Sequence, residues 1–227
     1  MKKSSLVLAL LLCCCVALPQ LGMANTLTSG LGNTGTSLVS GTSTQLSGLF
    51  NTAQSSFAAP FNIYCGSDNG TACSASWTFN YSSLAGDTIN SASVSIGIVD
   101  IDSAASGSQV ASFTLSGAPD NLTSALDGLS ESAAATNNLY ELFTVTIPNT
   151  SLSQLLGGTA TFNLALQGPG LGILGPTTSN GAGLVFSTLT IDYTPSGPPA
   201  MPEPSTLTLL GTGLAGLAGV FRRKLNR

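Results

Sequence analysis

Two carboxylates in the middle of the chain are spaced for metal chemistry. Asp100 and Asp102 end an alternating stretch that contains Ile96 and Ile98. On a strand both carboxylates would point to one face, about 7 Å apart, and such a pair without a nearby cation favours a hard ion such as Ca²⁺. The alternative is that two exposed acids keep the end of a strand soluble. We expect no cofactor, with Ca²⁺ at Asp100 and Asp102 as the one alternative.

Two of the five cysteines, Cys65 and Cys73, lie outside the N-terminal segment. An even pair in an exported protein predicts a disulfide. It would close a turn-rich loop, CGSDNGTAC. The alternative is a pair of free thiols, or half of a metal site.

The basic residues are confined to the two ends of the chain. Positions 25–221 contain no Lys, Arg or His and all ten acidic residues, so this part has a net charge near −10. A surface of this sign cannot neutralise phosphates, which excludes nucleic acid as a partner. The basic residues are Lys2, Lys3, Arg222, Arg223, Lys224 and Arg227.

The same shortage of cations restricts catalysis. Positions 25–221 cannot supply a Ser-His-Asp or Cys-His arrangement, a Schiff-base lysine or a cationic oxyanion site. A carboxylate pair of the glycosidase type is the remaining option, and nothing in the sequence selects a pair. We therefore expect that the protein is not an enzyme and has no catalytic residue. The acids considered for a pair are Glu131 and Glu141 with Asp87, Asp120, Asp127 or Asp192.

The single tryptophan, Trp77, has two interpretations. Its ring could stack on a sugar, since aromatic faces bind pyranose rings. However, Trp77 alternates in phase with Phe79 and Tyr81 and lies four residues after Cys73. This pattern favours a buried Trp packed on or near the disulfide.

The elements that must position these residues are strands. From position 57 to 195 apolar and polar residues alternate, which predicts about seven half-buried strands, with one short helix at 151–156. The pattern indicates an all-β fold, an antiparallel β-sandwich, with jelly-roll and immunoglobulin-like topologies both open. The apolar positions are Phe61–Tyr64; Ala75, Trp77, Phe79, Tyr81; Val94, Ile96, Ile98; Ala111, Phe113, Leu115; Phe143, Val145, Ile147; Ala160, Phe162, Leu164, Leu166; and Val185, Leu189, Ile191, Tyr193.

The N-terminus has the three parts of a secretory signal peptide. Lys2 and Lys3 form the charged region, Leu6 to Leu18 is apolar, and Gly22-Met23-Ala24 supplies small residues for a signal peptidase. We predict cleavage after Ala24. A lipoprotein site at the cysteines of this segment is the alternative, but the residues before them are not the small ones that lipidation needs.

The rest of the chain divides by composition. The segment after the signal peptide is rich in Ser, Thr and Gly, which predicts a flexible or loosely ordered leader, although a first strand is compatible with it. The predicted organisation is a signal peptide at 1–24, a leader at 25–56, a β-sandwich at 57–195, a linker at 196–201 and a C-terminal segment at 202–227.

The C-terminal segment reads PEPSTLTLLGTGLAGLAGVFRRKLNR. Pro202-Glu203-Pro204 is rigid because each proline fixes its own φ and restricts the residue before it. Thr206 to Phe221 is uncharged and about 24 Å long as a helix, against a hydrocarbon core of ~30 Å. Arg222, Arg223 and Lys224 follow, and their side chains can reach the headgroups. We predict a short transmembrane helix.

The order of proline motif, short apolar helix and basic cluster resembles the PEP-CTERM sorting signal of Gram-negative bacteria. The resemblance implies an exported protein that is held briefly in the inner membrane and processed near the PEP motif by an exosortase. Its destination would be the cell surface or the extracellular polysaccharide matrix. The sorting-motif residues are Pro202, Glu203, Pro204, Arg222, Arg223 and Lys224.

We therefore predict an exported surface or matrix protein with a structural or interaction role. The alternative is a carbohydrate-binding module, with or without Ca²⁺, which a β-sandwich commonly hosts. A third candidate is an ice-binding protein, because similar tails occur on some of them and the chain has several Thr-x-Thr triplets. The triplets fall on separate predicted strands without regular spacing: Thr144-Val-Thr146, Thr159-Ala-Thr161 and Thr188-Leu-Thr190.

Overall fold

A computed structural model describes residues 23–35, 42–43, 47–67, 70–99, 107–132, 139–168, 179–197 and 204–225. The chain divides into two compact units. One is a β domain, Ala24–Ser196, and the described part of the other is chiefly a C-terminal helix.

Nine strands lie in the described part of the β domain. The nine strands are β1 (Asn25–Gly32), β2 (Thr42–Ser43), β3 (Tyr64–Cys65), β4 (Ser74–Asn80), β5 (Thr88–Val99), β6 (Val110–Leu115), β7 (Leu139–Thr146), β8 (Thr159–Leu166) and β9 (Ala182–Thr194). The helices are α1 (Ser47–Gln54), α2 (Thr123–Ser132), a 3₁₀ helix (Asn149–Leu155) and α3 (Pro204–Leu225).

The strands form two antiparallel sheets. The six-stranded sheet has the order β1-β9-β5-β7-β2, with β3 paired to β9, and the three-stranded sheet has the order β4-β8-β6. From β4 to β9, successive strands alternate between the two sheets. The predicted antiparallel all-β domain is confirmed, and the two sheets are consistent with a sandwich.

The main hydrophobic core collects the inward-facing residues of both sheets. Val94, Ile96 and Ile98 of β5 are at most 1% exposed, and each buried side chain of this size stabilises the fold by about 1.5–3 kcal/mol. Trp77 is 4% exposed and packs against Phe113 and Phe162, with ring centroids 6.3 Å and 6.2 Å away. The prediction of a buried Trp77 is confirmed.

A smaller apolar cluster lies on the opposite face of the six-stranded sheet. Phe50 of α1 packs there with Val99, Tyr140 and Val185. A β-bulge makes this arrangement compatible with the core, because Gly97 pairs with Phe186 while Ile98 pairs with Leu184. The extra residue, Val185, shifts the alternation of β9 by one position. Both halves of β9 can therefore send apolar side chains into the main core.

The prediction of a loosely ordered leader at 25–56 is wrong for β1 and α1. Strand β1 pairs with β9 over its whole length, from Asn25 opposite Tyr193 to Gly32 opposite Phe186. Leu27 and Leu31 are partly buried against the main core. The β domain thus begins at Ala24. Composition alone was misleading because the hydrogen bonds of β1 come from a strand near the other end of the domain.

Of the described helices within the β domain, α1 and α2 were not predicted and the 3₁₀ helix was. Helix α2 interrupts the expected run of strands, and the Asp127 carboxylate on it accepts hydrogen bonds from the backbone N–H groups of Gln109 (2.8 Å) and Val110 (2.9 Å). The 3₁₀ helix agrees with the short helix predicted at 151–156, and it buries Leu152 and Leu155.

Candidate functional sites: the sorting segment and a hydroxyl face

The C-terminal helix α3 contains most of the predicted sorting segment. It begins at Pro204, a residue suited to the first turn because its missing N–H would have no helical partner there. Pro202 and Glu203 lie outside the described residues. Arg222 and Arg223 are exposed, and Lys224 lies in the last turn.

The described apolar side chains of α3 form an exposed stripe. Leu210, Leu214, Leu217 and Phe221 are 61%, 50%, 57% and 63% exposed. Their spacing of three or four residues places them on one side of the helix. The stripe ends directly at the basic residues.

The predicted transmembrane helix is not supported. Among the residues that the structure describes, no helix is both long enough and apolar enough to cross a membrane.

The predicted disulfide is present in the structure. Cys65 and Cys73 are bonded, with their Cα atoms 4.9 Å apart. Cys65 ends β3 of the six-stranded sheet, and Cys73 directly precedes β4 of the three-stranded sheet. The backbone N–H of Cys73 also donates to the carbonyl oxygen of Asn180 at 2.8 Å. The disulfide therefore links the edges of the two sheets.

The predicted metal residues, Asp100 and Asp102, lie outside the described residues. Within the described ranges, no group of three or more His, Cys, Asp or Glu side chains is arranged to hold a metal ion. The structure therefore leaves the Ca²⁺ hypothesis at Asp100 and Asp102 as a prediction.

The described aspartates connect separate elements of the β domain. Asp87 accepts a hydrogen bond from the backbone N–H of Ser196 at 2.8 Å. Asp120 accepts hydrogen bonds from the hydroxyls of Ser151 (2.6 Å) and Thr150. These bonds, that of Ser151 first, hold the pKa of Asp120 below its usual value. Such contacts give these carboxylates a structural role at loops and helix starts.

The open face of the six-stranded sheet carries rows of hydroxyl groups. One row crosses four neighbouring strands through Thr28, Thr190, Ser93 and Thr146, which are register partners. The next row runs through Gly30, Thr188, Ser95 and Thr144. We call these two rows the hydroxyl face.

The hydroxyl face leaves several side chains available to a ligand. The Ser95 and Thr144 hydroxyls are hydrogen-bonded to each other at 2.8 Å. Among the described residues, the hydroxyls of Thr28, Thr188 and Thr190 have no hydrogen-bond partner. Thr28, Thr144 and Thr146 are exposed, while residues of the two central strands are half-buried.

An apolar row borders the hydroxyl face on the side of α1. Phe186, Gly97 and Leu142 are register partners there. A Cβ added to Gly97 would lie 2.5 Å from Cε1 of Phe186 and 2.7 Å from its Cδ1, so the missing side chain is what lets the aromatic ring lie against the sheet. Phe186 is half-buried and Leu142 is 47% exposed.

An acidic row borders the hydroxyl face on the other side. The carboxylate of Asp192 accepts hydrogen bonds from the hydroxyls of Thr26 (2.6 Å) and Ser91 (3.0 Å). These two bonds, that of Thr26 first, lower the pKa of Asp192. Hydrogen bonds to a carboxylate stabilise its charged form. Three strands are thereby connected at this edge of the face.

The sequence did not reveal this face, although it contained the signals. Two of the Thr-x-Thr triplets, at 144–146 and 188–190, lie on β7 and β9, and β5 joins them. The third triplet, at 159–161, lies on β8 of the other sheet, where the hydroxyls of Thr161 and Thr78 are 2.8 Å apart. The aromatic residue beside the hydroxyls is Phe186 rather than Trp77. Strand order, which the spacing along the chain does not reveal, decides both points.

Comparisons with known proteins bear on the C-terminal segment. No curated protein matches the chain significantly. Residues 202–224 match the family model of the PEP-CTERM protein-sorting motif, and this match lies beyond the end of the β domain. The resemblance seen in the order of proline motif, apolar helix and basic cluster is thereby confirmed. The chain carries a PEP-CTERM protein-sorting motif at residues 202–224, which marks it as an exported protein targeted to an exosortase.

Proposed function

We propose that this protein is an exosortase substrate whose β domain has a structural or interaction role at the cell surface or in the extracellular matrix of a Gram-negative bacterium. The observation that carries the proposal is the sorting motif at 202–224, placed after a compact unit, Ala24–Ser196. In this proposal the β domain is the part that functions at the cell surface, and the C-terminal segment is its sorting signal.

The two ends of the chain have separate tasks in this proposal. The signal peptide at 1–24 starts export, and the acidic middle of the chain crosses the inner membrane. Helix α3 then holds the intermediate at the membrane through its apolar stripe. The Pro202-Glu203-Pro204 tripeptide is read by the exosortase, because its two prolines make it rigid and its glutamate gives it a charge that a processing enzyme can recognise.

A single substitution tests the processing step. We expect Glu203→Ala to leave export intact but to keep the full-length protein, with its C-terminal basic residues, in the inner-membrane fraction. Cell fractionation with C-terminal mass mapping measures this. Glu131→Ala, which removes an exposed glutamate on α2, is the matched control and should be processed normally. Surface-located wild type that retains Arg227 would contradict the proposal.

A carbohydrate-binding module is the second candidate. The alternation of β4 to β9 between the two sheets favours a jelly roll over the immunoglobulin order, in which the consecutive strands D and E, and again F and G, share a sheet. Jelly rolls include lectin domains, but a fold by itself hosts many functions. The hydroxyl face and its bordering aromatic ring are the specific features that support this candidate. In both candidates the protein acts by binding and not by catalysis.

A further inference from the structure

The hydroxyl face has a repeat in two directions. Neighbouring strands lie about 4.8 Å apart, and residues two apart along a strand lie about 6.7 Å apart. Each Ser or Thr hydroxyl can donate one hydrogen bond and accept others. The hydroxyls of Thr28, Thr188 and Thr190 form no hydrogen bond within the described residues. The face therefore offers many directional but uncharged contacts.

The apolar row gives this face a second kind of contact. The ring of Phe186 lies against Gly97, and Leu142 is exposed beside it. A sugar ring also has two kinds of surface, an apolar C–H face and hydroxyl groups at its rim. An aromatic ring next to rows of hydroxyls is complementary to both parts of a sugar at once.

Charge restricts the class of sugar. Residues 25–221 contain no Lys, Arg or His, so the β domain cannot pair with a carboxylated, sulfated or phosphorylated glycan. The carboxylate at the border of the face, Asp192, adds repulsion of such ligands. Electrostatic repulsion therefore excludes anionic polysaccharides, and the uncharged Ser and Thr side chains of the two rows match an uncharged one.

Sheet twist favours a flexible ligand over a crystal surface. Adjacent strands in a sheet rotate by roughly 20–25° relative to each other, so four strands do not keep a rigid lattice in register. A polysaccharide chain can follow such a surface because its glycosidic bonds rotate. Ice, whose surface is rigid, cannot.

We infer that the hydroxyl face and its apolar row bind a single chain of an uncharged polysaccharide. One sugar ring stacks on Phe186, and its neighbours hydrogen-bond to Thr188, Thr190 and Thr28. The inference deepens the proposed interaction role and rests on it for its biological setting. Binding in solution does not depend on sorting, so the binding hypothesis and the sorting hypothesis can be contradicted independently.

Affinity electrophoresis of the purified exported protein tests the inference. The probes are three neutral glucans, hydroxyethyl cellulose, laminarin and dextran, and one anionic polysaccharide, alginate. We expect retardation by at least one neutral glucan and none by alginate. Phe186→Leu, which keeps an apolar side chain but removes the ring, and the isosteric Thr188→Val/Thr190→Val pair should each raise Kd by on the order of tenfold.

The other sheet provides the matched control. Thr78→Val/Thr161→Val likewise removes two threonine hydroxyls, here from the outer face of the three-stranded sheet, where they are hydrogen-bonded to each other across strands. It should leave Kd unchanged, and circular dichroism should show that all variants are folded. The inference is overturned if no neutral glucan binds, if alginate binds equally well, or if the control pair weakens binding as much as the face variants. Thermal hysteresis without glucan binding would also overturn it and would assign the face to ice.

Discussion

At the residue scale, Asp192 shows how a domain without cations accommodates its acids. Its carboxylate accepts hydrogen bonds from two hydroxyls on neighbouring strands, Thr26 and Ser91. Asp120 is stabilised in the same way by Ser151 and Thr150. Hydroxyls replace lysines and arginines as the partners of these carboxylates. The hydrogen bonds lower the pKa of both groups, because they favour the charged form.

The lowered pKa of Asp192 makes a prediction about acid stability. A carboxyl whose pKa is lower in the folded state stabilises the fold above its unfolded-state pKa, and this contribution is lost as the pH falls through the folded pKa. We expect Thr26→Val to raise the pKa of Asp192 towards its usual value and to move the onset of acid unfolding to higher pH, in the range below about pH 4. Carboxyl NMR titration and circular dichroism measure the two effects.

Thr28→Val is the control for this prediction. Thr28 lies on the same strand and the same face but donates no hydrogen bond to a carboxylate among the described residues. It should leave the titration of Asp192 unchanged. Equal effects of the two variants would show that the hydrogen bond from Thr26 does not cause the shift.

At the element scale, β1 and β9 decide the extent of the domain. Strand β1 is an edge strand whose complete register is set by β9, and the two are distant in sequence, with Thr26 and Asp192 166 residues apart. Leu27, between two threonines, and Leu31, between two glycines, both pack against the main core. The strand is thus held by long-range pairing and by two apolar side chains.

A substitution in β1 separates an integral strand from a loose leader. We expect Leu31→Ala to lower the free energy of unfolding by about 1–2 kcal/mol, since a half-buried leucine contributes less than the 2–5 kcal/mol of a fully buried one. Urea denaturation measures this. Thr28→Ala, at an exposed position of the same strand, should change stability by less than about 0.5 kcal/mol. An unchanged midpoint for Leu31→Ala would mean that β1 does not belong to the folded domain.

At the scale of the whole molecule, the charge distribution separates the delivered domain from its ends. All six basic residues lie at the termini, and all ten acids lie between them. Attractive ion pairs between side chains are therefore impossible within residues 25–221. The surface of the β domain is kept soluble by Ser and Thr hydroxyls together with uncompensated negative charge, which also repels itself.

Self-repulsion predicts an unusual response to salt. Raising NaCl from 10 mM to 150 mM shortens the Debye length from about 30 Å to about 8 Å, so we expect the Tm of the exported protein to rise. The gain should be on the order of 1 kcal/mol, which is about 2–4 °C for a domain of this size. Differential scanning calorimetry in EDTA measures it, because EDTA removes any contribution from Ca²⁺. KCl at equal ionic strength should act alike, and a Tm that falls with salt would contradict the prediction.

The sequence by itself determined the features that depend on neighbouring residues. The sorting motif at 202–224 was recognisable because its three parts are consecutive. The densely alternating strands were predicted because side chains two apart on a strand share a face. The burial of Trp77 and the disulfide between Cys65 and Cys73 were also predicted from residues that are close together in sequence.

Only the tertiary structure decided which strands are neighbours. The Thr-x-Thr triplets at 144–146 and 188–190 became rows of one face because β5 lies between β7 and β9. Phe186 lies beside those rows because Gly97, on the adjacent strand, has no side chain to displace its ring. Strand β1 joined the domain because β9 supplies its hydrogen bonds. The common reason is that strand pairing joins residues that are far apart in sequence. The spacing of residues along the chain does not indicate which strands pair.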